Sequence, residues 1–309
     1  MRTLTQSFIG ALLGGKQAAC HDEGSIRAVW ASDWGVWRIF GCQPNGVLLM
    51  RVDVVLMPAA LSGAVPEGTL CVMVDVLRTS TTFCAALAQG AEAIVPFATQ
   101  EAARRFAEHA SQLVVMGGEQ HGRPIPGFAL ENSPLEYTEE SVSGKLIAFV
   151  SSNGVPLLYR LPDGETPHTV VMGLVNRAAV AEYCRQQRPD QVLICCAGDS
   201  GAIAYEDVLG AGALVAGLCE MRFVALTDAA HLALAAYREA VEGMLASVLR
   251  ASRHARFLAL EGKQRDIEYA TRLDVLWIVP RWYGRQVVPA KIEANPPEEA
   301  PTTTSACAA

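Results

Sequence analysis

The sequence predicts an α/β sandwich built on a largely parallel sheet. Short apolar runs alternate with helical patterns from residue 50 to residue 279. Several of those runs, such as 71–76, 146–150 and 191–196, carry almost no polar alternation, as strands covered on both faces do. Four strands also end in polar or glycine-rich turns: Asp75 to Thr82, Gly117-Gly118-Glu119, Ser151 to Gly154 and Ala197 to Gly201. In a parallel sheet, strand ends of one sense share a rim, so these turns are expected to converge on one crevice.

Taken in order, residues 1–49 read as an extension. Their apolar stretch 8–13 is short for a signal core, though an export signal ending near Ala19-Cys20 is the alternative. Trp30, Trp34 and Trp37 fall in no clean period, and the segment is expected to be poorly ordered. Residues 50–56 form the first strand of a domain predicted to span 50–285. The strand at 71–76 leads through Arg78-Thr79-Ser80-Thr81-Thr82 into a small-residue helix at 83–89, closed by Gly90. A strand at 93–97 and a Thr99-capped helix to residue 110 follow, then a strand at 112–116. The Gly- and Pro-rich stretch 120–134 is long enough for a functional loop. Strands at 146–150, 169–172 and 191–196 alternate with helices at 154 onward, 176–187 and 206–219. One long amphipathic helix is predicted over 227–249 and a last strand over 274–279. From residue 286 the Pro, Thr, Glu and Ala content predicts a disordered tail.

Bulk properties exclude several classes. The net charge of −7 and a pI near 5.4 argue against nucleic-acid binding, which needs a basic face. Nine cysteines without C-x-x-C spacing fit reduced, cytoplasmic thiols rather than a disulfide framework. Six scattered histidines make zinc a poor candidate. No apolar run reaches membrane-spanning length, so no membrane partner is expected. A homo-oligomer stays open.

The chemistry suggested by the turns is that of an anion. Backbone N–H groups at a helix start bind phosphate or carboxylate well, and Arg78 adds a planar donor fork. Asp75 and Glu119 sit on the proposed rim with Glu206 and Asp207, and a subset of these acids would hold Mg²⁺, which prefers hard oxygens. Asp75, Arg78 and Glu119 are therefore the catalytic candidates. Ser80, Thr81, Thr82, Ser152, Asn153 and Gly154 are candidates for holding phosphate oxygens, with Asn132 in the long loop joining the binding set. Ordinary caps, surface charges and first-turn acids are the bland account, and it fits Glu206 and Asp207 best. His121 is a weak candidate for protonating a leaving group, and Cys196 reads as a packed strand-end thiol.

Six motifs in order carry a resemblance: Val74 to Thr82, Gly117-Gly118-Glu119, Gly127 to Pro134, Ser152-Asn153-Gly154, Cys196-Ala197-Gly198 and Glu206-Asp207. The set resembles the 2-phosphosulfolactate phosphatase family over residues 51–285, including its closing segments near 252–260 and 274–280. The resemblance implies a three-layer α/β/α fold with a mixed, mostly parallel sheet. It implies a magnesium-dependent phosphatase that takes a small anionic phosphoester, 2-phosphosulfolactate, to sulfolactate and phosphate on the way to coenzyme M. Two positions depart from the family: Gln120 stands where an arginine is usual, and Val155 where a threonine is. Losing a guanidinium there puts sulfonate recognition in question more than phosphate recognition, so a related phosphoester is an alternative substrate. A haloacid-dehalogenase-like enzyme is a rival, but it needs a second acid where Leu77 stands. A non-catalytic anion-binding protein on the same scaffold is the other.

Overall fold

The computed structural model describes residues 26–31, 36–41, 49–221 and 224–293. The expectation of poor order for residues 1–49 lies mostly outside them, as does the predicted tail from 294 onward. Within that first segment, β1 (Ile26–Ala31) and β2 (Val36–Gly41) pair antiparallel as a two-stranded sheet, a hairpin the aperiodic tryptophans had concealed.

The main sheet has eleven strands in the order β11, β3, β10, β4, β9, β12, β13, β5, β8, β6, β7. These are β3 (Met50–Val55), β4 (Thr69–Val74), β5 (Ala93–Pro96), β6 (Val114–Gln120), β7 (Arg123–Pro124), β8 (Leu146–Val150), β9 (His168–Met172), β10 (Gln191–Cys196), β11 (Val224–Leu226), β12 (Pro280–Tyr283) and β13 (Gln286–Pro289). It is mixed and mostly parallel, as the α/β reading required. Strands β11, β3, β10, β4 and β9 form one parallel block, and β5, β8 and β6 form another. The hairpin β12–β13 joins them through antiparallel pairs on both sides. Three successive antiparallel pairings make the two blocks run in opposite senses.

Burial explains the unalternating runs. Val72, Val74, Val192 and Ile194 face one core with the helices Arg177–Gln187, Tyr205–Cys219 and Asp228–Glu242. Cys71, Met73, Leu193 and Cys195 face the other, with Phe83, Ala86 and Leu87 of the helix Thr79–Ala88 and with Ile147 and Phe149 of β8. Both faces are covered, so neither can be polar. The helix Gln100–His109 covers the outer side of β8, where Ala148 and Val150 meet Ala103 and Phe106. Thr99 caps it as expected, its hydroxyl accepting the Ala102 N–H at 3.2 Å.

Three expectations are corrected. Residues 274–279 form no strand. Asp274 instead caps the helix Arg177–Gln187, accepting the Ala178 N–H at 2.6 Å and pairing with Arg177. The long helix expected over 227–249 breaks at Gly243 and Met244, the latter with a left-handed φ of 66°, and restarts at Leu245–Arg250. Disorder does not begin at residue 286, because β13 is a sheet strand. Its hairpin with β12 turns through Gly284 and Arg285, both at positive φ, as a tight two-residue connection demands.

Candidate functional site

The four polar turns do meet, although not on the rim of one parallel sheet. Asp75 and Asp199 follow strands of the first block, whereas Glu119 and Ser152 end strands of the oppositely directed second block. Five strand-to-strand steps separate β4 from β8. At roughly 20–25° per step, twist turns the strand direction by roughly 100–125° between them, which offsets a little more than half of the reversal. A cavity of about 350 Å³ results, with Asp75, Arg78, Thr79, Glu119, His121, Asn132, Ser152, Asn153, Asp199, Arg253 and His254 on its wall beside Leu77 and Phe257.

Its floor is the turn after β4. Asp75 is buried, and its Oδ1 accepts the Thr79 N–H at 3.2 Å. Burial pushes its carboxyl up to about 6, and the charge of Glu119 adds to that, while Thr79 and His254 pull the other way. Glu119 is fixed at both oxygens: Oε1 accepts the Ser152 N–H at 2.6 Å, and Oε2 accepts the Gly122 N–H at 2.6 Å and the Ser152 hydroxyl at 3.1 Å. Gly118, at φ 127°, lets β6 press its backbone against Val150, which a side chain would prevent. Gly154 plays the same part beneath Asp75, where a Cβ would come within 2.6 Å of Oδ2 and 2.7 Å of the Thr79 Cβ. It lies beside the carboxylate rather than on the cavity wall.

Arg78 is buried on the wall, with its Nη1 donating to Asp266 Oδ2 at 2.6 Å. Asn132 reaches it from the long loop. Its Nδ2 lies 3.5 Å from Thr79 Oγ1, and its buried Oδ1 has no partner among the described residues. Asn153 accepts the Ser200 N–H at 3.1 Å and so links two turns across the mouth.

Other sequence candidates are placed elsewhere. Ser80, Thr81 and Thr82 are corrected as phosphate-holding residues, because the helix begins at Thr79 and turns them inward. Ser80 Oγ accepts the Asp75 N–H at 2.9 Å, Thr81 Oγ1 donates to the Val76 carbonyl at 2.8 Å, and Thr82 Oγ1 is buried without a partner among the described residues. Asp207, expected among the metal candidates, lies off the cavity wall. Its two oxygens accept the Val76 N–H at 2.8 Å and the Gly198 N–H at 2.9 Å, which braces the turns after β4 and β10 from behind. Glu206 is buried and lies off the cavity wall, its Oε2 unpartnered among the described residues. Burial raises both carboxyls above the usual range. Cys196 is a packed thiol, as read.

Sequence reasoning brought the turn 197–201 to the crevice without singling out Asp199, and it missed Arg253, His254 and Phe257 as wall residues and Asp266 behind the wall. Arg253 pairs with Asp199 at 2.7 Å at the mouth, and His254 Nδ1 lies 3.7 Å from the same carboxylate. The signal available was Ser252, which caps the helix Arg253–Leu260 by accepting the Ala255 N–H. The departures are also placed. The Gln120 side chain pairs with Gln100 away from the cavity, and Val155 packs in the core.

Magnesium can be tested against this donor set. It is commonly held by one or two carboxylates together with water and phosphate oxygens. Asp75 and Glu119 bring two carboxylates to one wall, each raising the need for a counter-cation, and they fit such a site. Among the described residues no cluster of three or more His, Cys, Asp or Glu forms a ready-made all-protein cage, which magnesium does not require.

The model of the 2-phosphosulpholactate phosphatase family matches residues 56–284. Relatives described as "Probable 2-phosphosulfolactate phosphatase" include those of Carboxydothermus hydrogenoformans, 35% identical over 77% of this chain and 97% of the relative, and Symbiobacterium thermophilum, 35% identical over 68% and 89%. A Synechococcus relative of the same description is 37% identical over 65% of this chain and 84% of its own. The matched span takes in every wall residue of the cavity.

Proposed function

The chain belongs to the 2-phosphosulpholactate phosphatase family, and on that premise we propose that it is a magnesium-dependent phosphoric monoester hydrolase acting on 2-phosphosulfolactate. The products are sulfolactate and inorganic phosphate. The observation that carries this reading is the meeting of Asp75, Glu119 and Arg78 on one cavity wall of small-molecule size.

Uncatalysed phosphomonoester hydrolysis is among the slowest of reactions, so positioning and charge stabilisation must supply most of the rate. Arg78 offers its remaining N–H groups to the phosphate oxygens while Asp266 holds Nη1. The amides of Thr79 and Asn132 hold the floor and the loop around it. Asp75 and Glu119 would hold magnesium, whose charge neutralises phosphoryl oxygens when bound. Water supplies the new P–O bond, the ester P–O bond breaks, and its oxygen needs a proton. His121 and His254 on the wall are the groups placed to give one. The same reading sets the reaction in the cytoplasm on the route to coenzyme M. No helix among the described residues is long and apolar enough to cross a membrane.

One observation supports a second substrate reading. With Gln120 turned toward Gln100, no guanidinium enters the cavity from that position, so a related small acidic phosphoester without a sulfonate is the alternative. Phosphate release is therefore to be measured across a panel of small phosphoesters, with magnesium and after chelation. Hydrolysis of 2-phosphosulfolactate that stops on chelation and returns with added Mg²⁺ is the expected result. Preference for another acidic phosphoester selects the second reading, and no release from any member of the panel removes both.

A further inference from the structure

Behind the cavity, the helix Gln264–Ala270 is tied to the wall by charge. Asp266 Oδ2 accepts from Arg78 Nη1 at 2.6 Å, and the two side chains are only 4% and 2% exposed. Its Oδ1 accepts the Ser133 hydroxyl at 2.7 Å. Ser133 directly follows Asn132, so one carboxylate fixes both the wall arginine and the loop that carries the wall amide. Lys263, the residue before the helix, pairs with Glu131 on the same loop. One ion pair, Lys263 to Glu131, and one hydrogen bond, Ser133 to Asp266, thus tie the loop to this helix start on either side of Asn132.

Neither Asp266 nor Lys263 lines the cavity. A buried arginine with no counter-charge would be costly, and with a single partner it would still have several rotamers open. Ser133 removes that freedom by holding the partner as well. We propose that Asp266 is the positioning residue of this site: it aims the Arg78 guanidinium at the bound phosphate and holds Asn132 opposite. The inference rests on the reading of the cavity as a phosphate site. Asp266 does not line the cavity; it acts through Arg78 and, by way of Ser133, through Asn132, and only the first of these is lost in Asp266→Asn.

The test uses the full chain and two readouts, calorimetric binding of inorganic phosphate in the presence of Mg²⁺ and steady-state hydrolysis. Asp266→Asn keeps the shape and the Ser133 contact but releases the guanidinium. Misplacing a group by about 1 Å costs roughly 100-fold, so a loss of about that size in kcat/KM, with weaker phosphate binding, is expected. Because the effect runs through Arg78, Asp266→Asn placed in the Arg78→Ala background should change phosphate affinity and kcat/KM no further. A purely structural aspartate would add its full loss there, and that additivity overturns the proposal. So does a folded Asp266→Asn with wild-type affinity and turnover. If Asp266→Asn alone does not fold, the double variant leaves neither charge unpaired. Phosphate affinity equal to that of Arg78→Ala then supports the proposal, and lower affinity overturns it. Wild-type protein that binds phosphate but hydrolyses nothing defeats the phosphatase reading alone, and Asp266 is then judged on affinity. Wild-type protein that takes up no phosphate defeats both.

Discussion

Asp75→Asn is expected to lose about 10²- to 10³-fold in kcat, the range for removing one charge-stabilising group, while remaining folded. Asn keeps an acceptor for the Thr79 N–H that Asp75 Oδ1 now takes at 3.2 Å, and its volume is nearly unchanged. It loses the negative charge that a hard cation needs. Stability should move the other way. The carboxyl is raised from 3.8 to about 6, chiefly by burial, so in the metal-free protein it binds its proton more tightly folded than unfolded. Its contribution is therefore most favourable below pH 3.8 and is lost as pH rises through about 6. The neutral variant escapes that loss, and its metal-free melting temperature at pH 7–8 should equal or exceed the wild type, with the gap closing toward pH 4. Kinetics and melts on one preparation check both halves. Full turnover in Asp75→Asn would remove the carboxylate from the reaction.

Arg78 carries the second large effect. Arg78→Lys keeps the charge but loses the rigid planar fork that can hold Asp266 with one nitrogen and present the others to a phosphate. Arg78→Ala leaves Asp266 buried without its partner. Truncating one member of a buried charge pair typically costs roughly 2–5 kcal/mol, or about 30- to 5000-fold if expressed in the rate constant. Arg78→Ala should show that loss in kcat/KM, and Arg78→Lys a smaller one. An arginine serving only the fold would lower melting temperature and leave the turnover of the folded fraction intact. Circular dichroism beside steady-state kinetics separates the two outcomes.

The sequence made the strands of the two blocks legible because burial on both faces writes itself as unbroken Val, Leu, Ile and Cys. Residues 146–150 and 191–196 match their strands end to end. Strand sense was not legible. Nothing in Ile94 or Ile147 tells a strand which way its neighbour runs, and the hairpin that sets it, at Pro280–Tyr283 and Gln286–Pro289, sat where the composition suggested a strand too early and then disorder. At the site, acids and an arginine on one turn were a sound signal because charges buried at strand ends need partners. The hydroxyls of Ser80, Thr81 and Thr82 were misleading, since a hydroxyl satisfies backbone as readily as ligand. Asp266 lies 188 residues from Arg78 in sequence, and no local pattern announces such a pair.

The joining hairpin also bears on how the chain assembles. Strands β9 and β5 become inner strands only when residues 280–289 arrive between them, after every other described strand has left the ribosome. Until then each block presents an unpaired strand to its surroundings, the kind of open edge on which nascent chains stick to one another. The late strands are thus a keystone, and we predict that a chain stopped before Pro280 forms aggregates where the longer one does not. Light scattering during refolding of the two lengths would decide it, and a soluble, monomeric short chain would count against it.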